Sequence, residues 1–351
     1  MNDLAPQLVE RVRAASADRT PLCIVGGGSK AGMLGRTTAG ARLDIGSHSG
    51  IVSYQPGELV LTARAGTRLA EIETVLAERG QALSFEPPHF GPGATLGGTL
   101  ACNLSGPARP WSGAMRDMVL GVRLINGKGE HLRFGGQVMK NVAGYDLSRL
   151  QAGAMGTLGV VTEISLKVLP RPRASLTLVE EMDEGAAILK MNQLAGRPWP
   201  LTGAAWTDGR LHLRLAGEPE AITAARVGLE PAEIGEEGFW TELREQRLAF
   251  FQGEVPVWRL SVPSARPPLR PGAATLIDWG GALRWSRGGE PEDMQSLAGR
   301  AGGHAILFRG GDRAGEIRQR LPAPLRALHS RLKAAFDPAG ILNPGCLYGW
   351  M

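Results

Sequence analysis

The stretch LCIVGGGSK, residues 22–30, constrains the fold more than any other in the chain: four apolar residues run straight into three glycines, a serine and a lysine. A short strand must end there in a loop almost without side chains. Gly32, Gly35, Thr37, Thr38 and Gly40 follow. Each interior glycine costs a helix roughly 1 kcal/mol against alanine, so no helix of useful length starts at this point. That weakens a Rossmann reading of Gly26, Gly28 and Ala31 with Asp44 as the ribose acid, because the fingerprint needs a helix N-terminus facing the pyrophosphate. Ser29 stands before Lys30, the reverse of the Walker order, so a magnesium-binding hydroxyl would be misplaced. Two readings remain: a loop that holds an anion through its own amides, and a tight surface turn between strands.

The size of the chain and its cysteines narrow the class. A length of 351 residues with 43% hydrophobic content predicts about two domains with ample core. Cys23, Cys102 and Cys346 are too few and too scattered for a disulfide framework, a structural zinc site or a four-thiolate cluster. A reducing cytoplasm is the expected compartment. The N-terminal residues carry acids and arginines where a signal peptide has its apolar core, and no run reaches transmembrane length. The net charge is +5, yet only six of the 39 basic residues are lysine and none cluster with interleaved aromatics, which argues against nucleic acid. Residues 309–333 hold seven basic and two acidic residues, either a solvated face or a docking surface for an acidic partner.

Character changes near KVLPRPRA, residues 167–174: glycine-rich turns and short β segments lie before it, and seven of the eight tryptophans after it. Leu8, Val9 and Val12 predict a helix ahead of the first strand. Leu69, Ile72, Val75 and Leu76 share one helical face, with Gly80 as C-terminal cap. VLGVRLINGKGEHLRF predicts a hairpin turning at Asn126-Gly127, and EISLKV at 163–168 alternates as a half-buried strand. There is no internal sequence repeat. Two further loops, PGATLGGTLACNLSGP at 92–107 and GAMGTLGVVTEI at 153–164, repeat the glycine-and-hydroxyl chemistry of the first. Three such loops suit an extended ligand with a diphosphate in its middle, since glycine lets backbone approach where a Cβ would collide.

IVGGGSK, EPPHFGPGATLGGTLACNLSGPARPWSGAMRDMVLG, VMKNVAGYDLSRLQAGAMGTLGVVTEISLKVLPRPRASL, LIDWGGALRW and FDPAGILNPG together carry a resemblance. From about Leu4 to Tyr348 the chain resembles the FAD-binding E subunits of bacterial glycolate oxidases, within the vanillyl-alcohol-oxidase (PCMH-type) flavoprotein superfamily. The resemblance implies an α+β fold: a PCMH-type FAD-binding domain of two α/β subdomains at 1–172, and a smaller ferredoxin-like α+β substrate or cap domain at 173–320. A C-terminal segment, 321–351, would return to the FAD domain. Val25, Gly26, Gly27, Gly28 and Ser29 would hold the pyrophosphate. Thr95, Leu96, Gly97, Gly98, Asn103 and Gly106 would line the diphosphate and ribityl chain, and Gly156, Gly159, Val160 and Val161 the adenosine half and the back of the ring.

Covalent members of the superfamily attach the flavin through a histidine in or just after the first loop, where this chain has Ser29 and Lys30. FAD is therefore expected to be non-covalent, with Cys102 a small core residue. Related 2-hydroxy-acid dehydrogenases bind a metal through two histidines; the similar place here has only His304 and Asp312, so no metal is expected. Oxidising glycolate needs hydride transfer to flavin, a base and a cation for the carboxylate. The candidates are Lys140, Tyr145 and Arg116, with Asn141 and Asp146 nearby, and each has a structural alternative such as Asp146 capping a turn. The implied function is the FAD-binding subunit of a glycolate oxidase (glycolate dehydrogenase) complex. Its partners would be a homologous FAD-binding subunit and an iron-sulfur subunit. The alternatives are an autonomous D-lactate-like 2-hydroxy-acid oxidase and a redox-inactive structural subunit.

Overall fold

A computed structural model describes residues 3–136, 146–229, 232–270 and 272–351. The N-terminal helix Ala5–Asp18 has Pro6 in its first turn and buries Leu8 and Val12. It leads into the strand Leu22–Val25, which pairs in parallel with Ala41–Asp44. Between those strands no helix forms, as the glycine density dictates. The chain's end joins this small sheet: Leu22 N–H donates to Ile341 O (2.7 Å), and Asn343 N–H to Leu22 O (3.0 Å).

A five-stranded antiparallel sheet follows, in the order Ile51–Gln55, Val60–Arg64, Val160–Lys167, Val119–Ile125, His131–Gly135. The helix Leu69–Ala77 packs on it with Leu69, Ile72 and Leu76 fully buried, each contributing about 1.5–3 kcal/mol. Gly80 has φ +63° and donates to Ala77 O, closing that helix. The hairpin 119–135 differs from the two-residue turn expected at Asn126-Gly127. Ile125 pairs with His131, leaving a five-residue loop in which Asn126 Oδ1 accepts from Lys128 and Glu130, and Gly129 takes φ +75°. Gly127 serves a different purpose: its N–H donates to Phe336 O, and a Cβ there would lie 2.7 Å from Asp337 Cα.

From Ala174 the chain builds one eight-stranded antiparallel sheet. Its first half runs Ala174–Glu181, helix Glu184–Ala195, Leu201–Thr207, Arg210–Gly217, helix Pro219–Val227, Glu233–Ile234, with spatial order 4-1-3-2. That is the ferredoxin-like βαββαβ arrangement. The second half, Val257–Ser261, Thr275–Asp278, Leu283–Arg287, helix Pro291–Arg300 and His304–Arg309, has the same order. The two join edge to edge through Trp206 and Ile277. The absence of a sequence repeat thus conceals a repeated topology. In the second half, irregular chain at 262–270 and 272–274 stands where the first half has its first helix, which removes the periodicity that would have marked it. One face of this half meets the N-terminal domain through Val257, Trp285, Ile306 and Phe308, packed with Leu34, Phe90 and Leu104. Among the described residues no helix is long and apolar enough to cross a membrane.

Candidate functional site

A cleft of about 350 Å³ lies among the glycine loop, the start of the helix Leu96–Cys102, the turn at Met155-Gly156, and the tail at Asn343 and Cys346. Its principal wall is the loop itself. None of the five successive backbone N–H groups from Gly26 to Lys30 donates to another group of the described protein. Gly28 (φ +73°) and Gly32 (φ +74°) adopt the left-handed conformation, and a Cβ on either would meet no atom within 4 Å, so the loop's free side is the cleft. Backbone donors must find acceptors, and a run of amides on a glycine turn forms a nest for an anion. Its other side is locked. The chain crosses itself at Gly27 and Gly93 so closely that a Cβ on Gly27 would overlap the Gly93 carbonyl, and one on Gly93 would lie 2.6 Å from Gly27 O. A Cβ on Gly26 would lie 2.8 Å from Thr95 Oγ1, which caps the helix by accepting from Gly98 N–H (3.2 Å).

Of the residues expected to hold a flavin, Val25, Gly26, Gly27, Gly28, Ser29, Thr95, Gly97, Gly98 and Gly156 line this cleft. The others lie elsewhere. Leu96 is fully buried in the core. Asn103, in the left-handed region, terminates the helix and accepts from Arg116 N–H through Oδ1. Gly106 lies at the domain interface, its carbonyl accepting from Trp279 Nε1 (3.0 Å). Gly159 packs on Leu124, and Val160 and Val161 belong to the central strand and the core beneath it. Arg116 is exposed and lines neither cavity described here. Asp146 caps Leu147–Leu150 and pairs with Arg149 (3.1 Å), the structural one of its two readings. Lys140, Asn141 and Tyr145 lie outside the described residues.

All three cysteines, Cys23, Cys102 and Cys346, line the cleft, so Cys102 is a wall residue as well as a packing one. Burial pushes its thiol up to about 11, which keeps it protonated. Among the described residues no histidine lines the cleft. The charge facing it is positive. Lys30 is 9% exposed and donates to Ser29 Oγ and His89 O (both 3.3 Å), with no carboxylate in ion-pair range among the described residues. Burial lowers its pKa, opposed by Cys102 and Glu245. Arg313 and Arg318 turn inward to the carbonyls of Gly35 (2.9 Å) and Leu34 (2.8 Å), and each keeps a buried nitrogen, Nη2 and Nε, without a partner.

Beside the cleft, a smaller cavity of about 30 Å³ separates the sheet from the N-terminal domain. Its side chains come from segments too far apart for sequence reading to connect: Phe90, Arg244, Arg259, Asp278 and Trp279. Trp279 adopts φ +54° and lies between two guanidiniums, Arg109 at 4.3 Å and Arg259 at 4.9 Å. Among the described residues the Arg259 side chain makes no hydrogen bond and no ion pair. Burial, with repulsion from Arg109 and Arg318, pulls it down to about 10, still charged at neutral pH. Burial pushes Asp278 up to about 7, against the bond from Trp279 N–H (2.6 Å), so it neutralises Arg259 poorly near pH 7. Burial and then the charges of Arg259 and Arg318 hold His304 below the usual histidine range. Asp312 instead accepts from Ala314 N–H, and among the described residues no three potential ligands come together for a metal. Glu245 fixes the loop between the two cavities by accepting from His89 and Phe90 N–H (3.1 and 2.9 Å).

Comparison with known proteins agrees with this arrangement. Residues 5–135 match the family described as FAD binding domain. The chain is 50% identical over 347 residues to glycolate oxidase subunit GlcE of Escherichia coli (strain K12), covering 99% of this chain and 98% of that one. Glycolate oxidase subunit GlcD of Bacillus subtilis (strain 168) is 35% identical over 36% of this chain and 28% of its own. A D-lactate dehydrogenase of Anaerostipes hadrus is 29% identical over 43% of this chain and 32% of its own. The solved structure of an alkyldihydroxyacetonephosphate synthase superposes with a TM-score of 0.67 at 15% identity, over 97% of this chain and 75% of that one, a likeness of fold.

Proposed function

Since the chain belongs to the family of glycolate oxidase E subunits, FAD-dependent oxidoreductases acting on 2-hydroxy acids, we propose that it is the FAD-binding subunit of a complex oxidising glycolate to glyoxylate. The observation that carries the cofactor side of this reading is the run of five free amides from Gly26 to Lys30. They fit the diphosphate of FAD, with Lys30 supplying a nearby positive charge. When bound, FAD supplies an acceptor for the hydride leaving the α-carbon of the hydroxy acid. The chain's own contribution is to bind, orient and exclude water.

Arg259 is the residue best suited to the substrate carboxylate. It is a charged, sheet-mounted guanidinium with its donors unspent, over the Trp279 ring at the domain interface. A bidentate Arg–carboxylate pair sets both position and orientation. Phe90, Trp285 and Phe308 form an apolar part of this cavity's wall, and a low local dielectric strengthens such a pairing. The partner chains of this reading are a homologous flavin subunit and an iron-sulfur subunit that takes the electrons.

The test uses the complex assembled with its partner subunits. Charge-assisted hydrogen bonds contribute about 1.5–3 kcal/mol each, so Arg259→Met is expected to raise KM for glycolate roughly 10- to 100-fold. Arg259→Lys should recover part of the loss, and flavin content should stay unchanged in both. A KM unaltered by Arg259→Met would assign Arg259 to packing under Trp279 alone. Failure of glycolate to bleach this chain's flavin in the intact complex would assign substrate oxidation to another subunit.

A further inference from the structure

The helix Ala323–Phe336 is poorly covered for an element of its length: of 14 residues only Lys333 is buried. Leu325 and Leu328, one turn apart, are 46% and 43% exposed. At its C-terminal end Phe336 meets Phe134 and packs on the cluster of Ala154, Leu158, Leu347 and Met351, and the helix's other contacts with the protein include polar and charged groups. Lys333 pairs with Asp337, the His329 ring meets Tyr348, and Arg326 stacks on Trp350 (5.1 Å). An isolated surface helix normally buries its apolar stripe and exposes its charges. Here leucines are left in solvent. Residues 317–336 also contain five arginines and lysines and no acid. Arg320, Arg326 and Arg331 are exposed, and Arg320 has only a 3.9 Å approach to Glu292. The broader basic segment 309–333 does not act as one surface, because Arg313 and Arg318 point inward to Gly35 and Leu34.

This helix is also attached to the wall of the cleft. Lys333 Nζ donates to Thr157 O (2.9 Å), next to Gly156, and to Leu342 O (2.8 Å), next to Asn343. Gly156 and Asn343 both line the cleft. Any redox carrier seated on the helix would stand one layer of protein from the flavin site.

We infer that the exposed face of Ala323–Phe336, with Arg320, is the docking surface for the electron-accepting partner subunit, which meets it with an acidic rim around an apolar centre. The inference rests on the function proposed above. Each glycolate delivers two electrons with its hydride, and this chain, in which no three potential ligands assemble among the described residues, needs a second carrier to remove them. The charge pattern selects the partner. A like-charged second copy of this chain would be repelled, whereas an acidic rim would speed encounter and make assembly salt-sensitive. The leucines supply the desolvated centre that such interfaces require.

The experiment compares the wild-type complex with Leu328→Glu/Arg331→Glu and Arg320→Glu/Arg331→Glu, using Leu189→Glu, 67% exposed on a distant helix, as control. Both double variants should keep wild-type flavin content and melting temperature, yet co-purify the partner at least about tenfold less well, a loss of about 1.4 kcal/mol. Added salt should weaken the wild-type complex more than either variant. Undiminished co-purification of both variants would overturn the docking surface while leaving the flavin and glycolate results standing. So would loss of binding to phosphatidylglycerol vesicles with the partner retained, which would assign the face to a membrane. A wild-type dimer made monomeric by the variants would assign it to a second copy and overturn the inference equally.

Discussion

Replacing Gly27 by alanine is expected to strip FAD from the chain, with flavin content falling at least about tenfold, equivalent to 1.4 kcal/mol or more of binding. The cause is not intrusion into ligand space. The added Cβ would overlap the Gly93 carbonyl, so the crossing of the two loops has to open and the five amides lose their common direction. Arg68 also donates to that carbonyl, which leaves Gly93 little freedom to retreat. The contact is reciprocal, so Gly93→Ala should produce the same loss, its Cβ falling 2.6 Å from Gly27 O. Flavin absorbance per chain after gel filtration measures both. Full flavin occupancy in Gly27→Ala would mean that the crossing does not shape the site.

Asp337→Ala is expected to be the most destabilising single change in the C-terminal segment. The carboxylate is fully buried and accepts from Lys333 Nζ (2.7 Å), Ile341 N–H (3.1 Å) and Leu342 N–H (2.8 Å). Removing it leaves a buried ammonium and two backbone donors without their acceptor, and breaking a buried pair costs about 3–5 kcal/mol. A fall in melting temperature on the order of 10 °C follows for a chain of this size. Flavin should be lost as well, because Asn343 and Cys346 line the cleft. Lys333→Met should be milder, since Asp337 keeps both amide partners. An unchanged thermal transition in Asp337→Ala would show that the tail is held by other contacts.

Local signals were legible where one segment decides its own structure. The helix-free chain after Gly26 follows from glycine density, and the helix Leu69–Ala77 from apolar spacing. The hairpin forms where the sequence predicts it, but its turn is longer than two residues because it answers to a distant group: Gly127 is small to admit Asp337, and Asn126 is spent on Lys128 and Glu130. Charge counts likewise say nothing of direction, so Arg313 and Arg318 belong to the cleft wall although they sit within a basic run. Arg259 carries no motif, and Trp279, although it lies within LIDWGGALRW, gives no sign in the sequence that it meets Arg259. Their meeting depends on the register of the second ferredoxin-like half, where Arg259 lies opposite Trp285 and Ile306 and faces the N-terminal domain. Arg116 lies within a recognisable segment, yet it is exposed and lines neither cavity described here.

Non-covalent retention of FAD by the amides of Gly26 to Lys30 underlies the function proposed for this chain. Its most direct test is to purify the chain in its complex, count flavin per subunit, precipitate the protein with acid or heat, and identify the flavin released. One FAD for this chain, recovered free in the supernatant, is the predicted result: among the described residues no histidine lines the cleft, and the Cys102 thiol stays protonated. Yellow colour retained in the denatured pellet, or a folded chain that carries no flavin when its partners are removed, would contradict it.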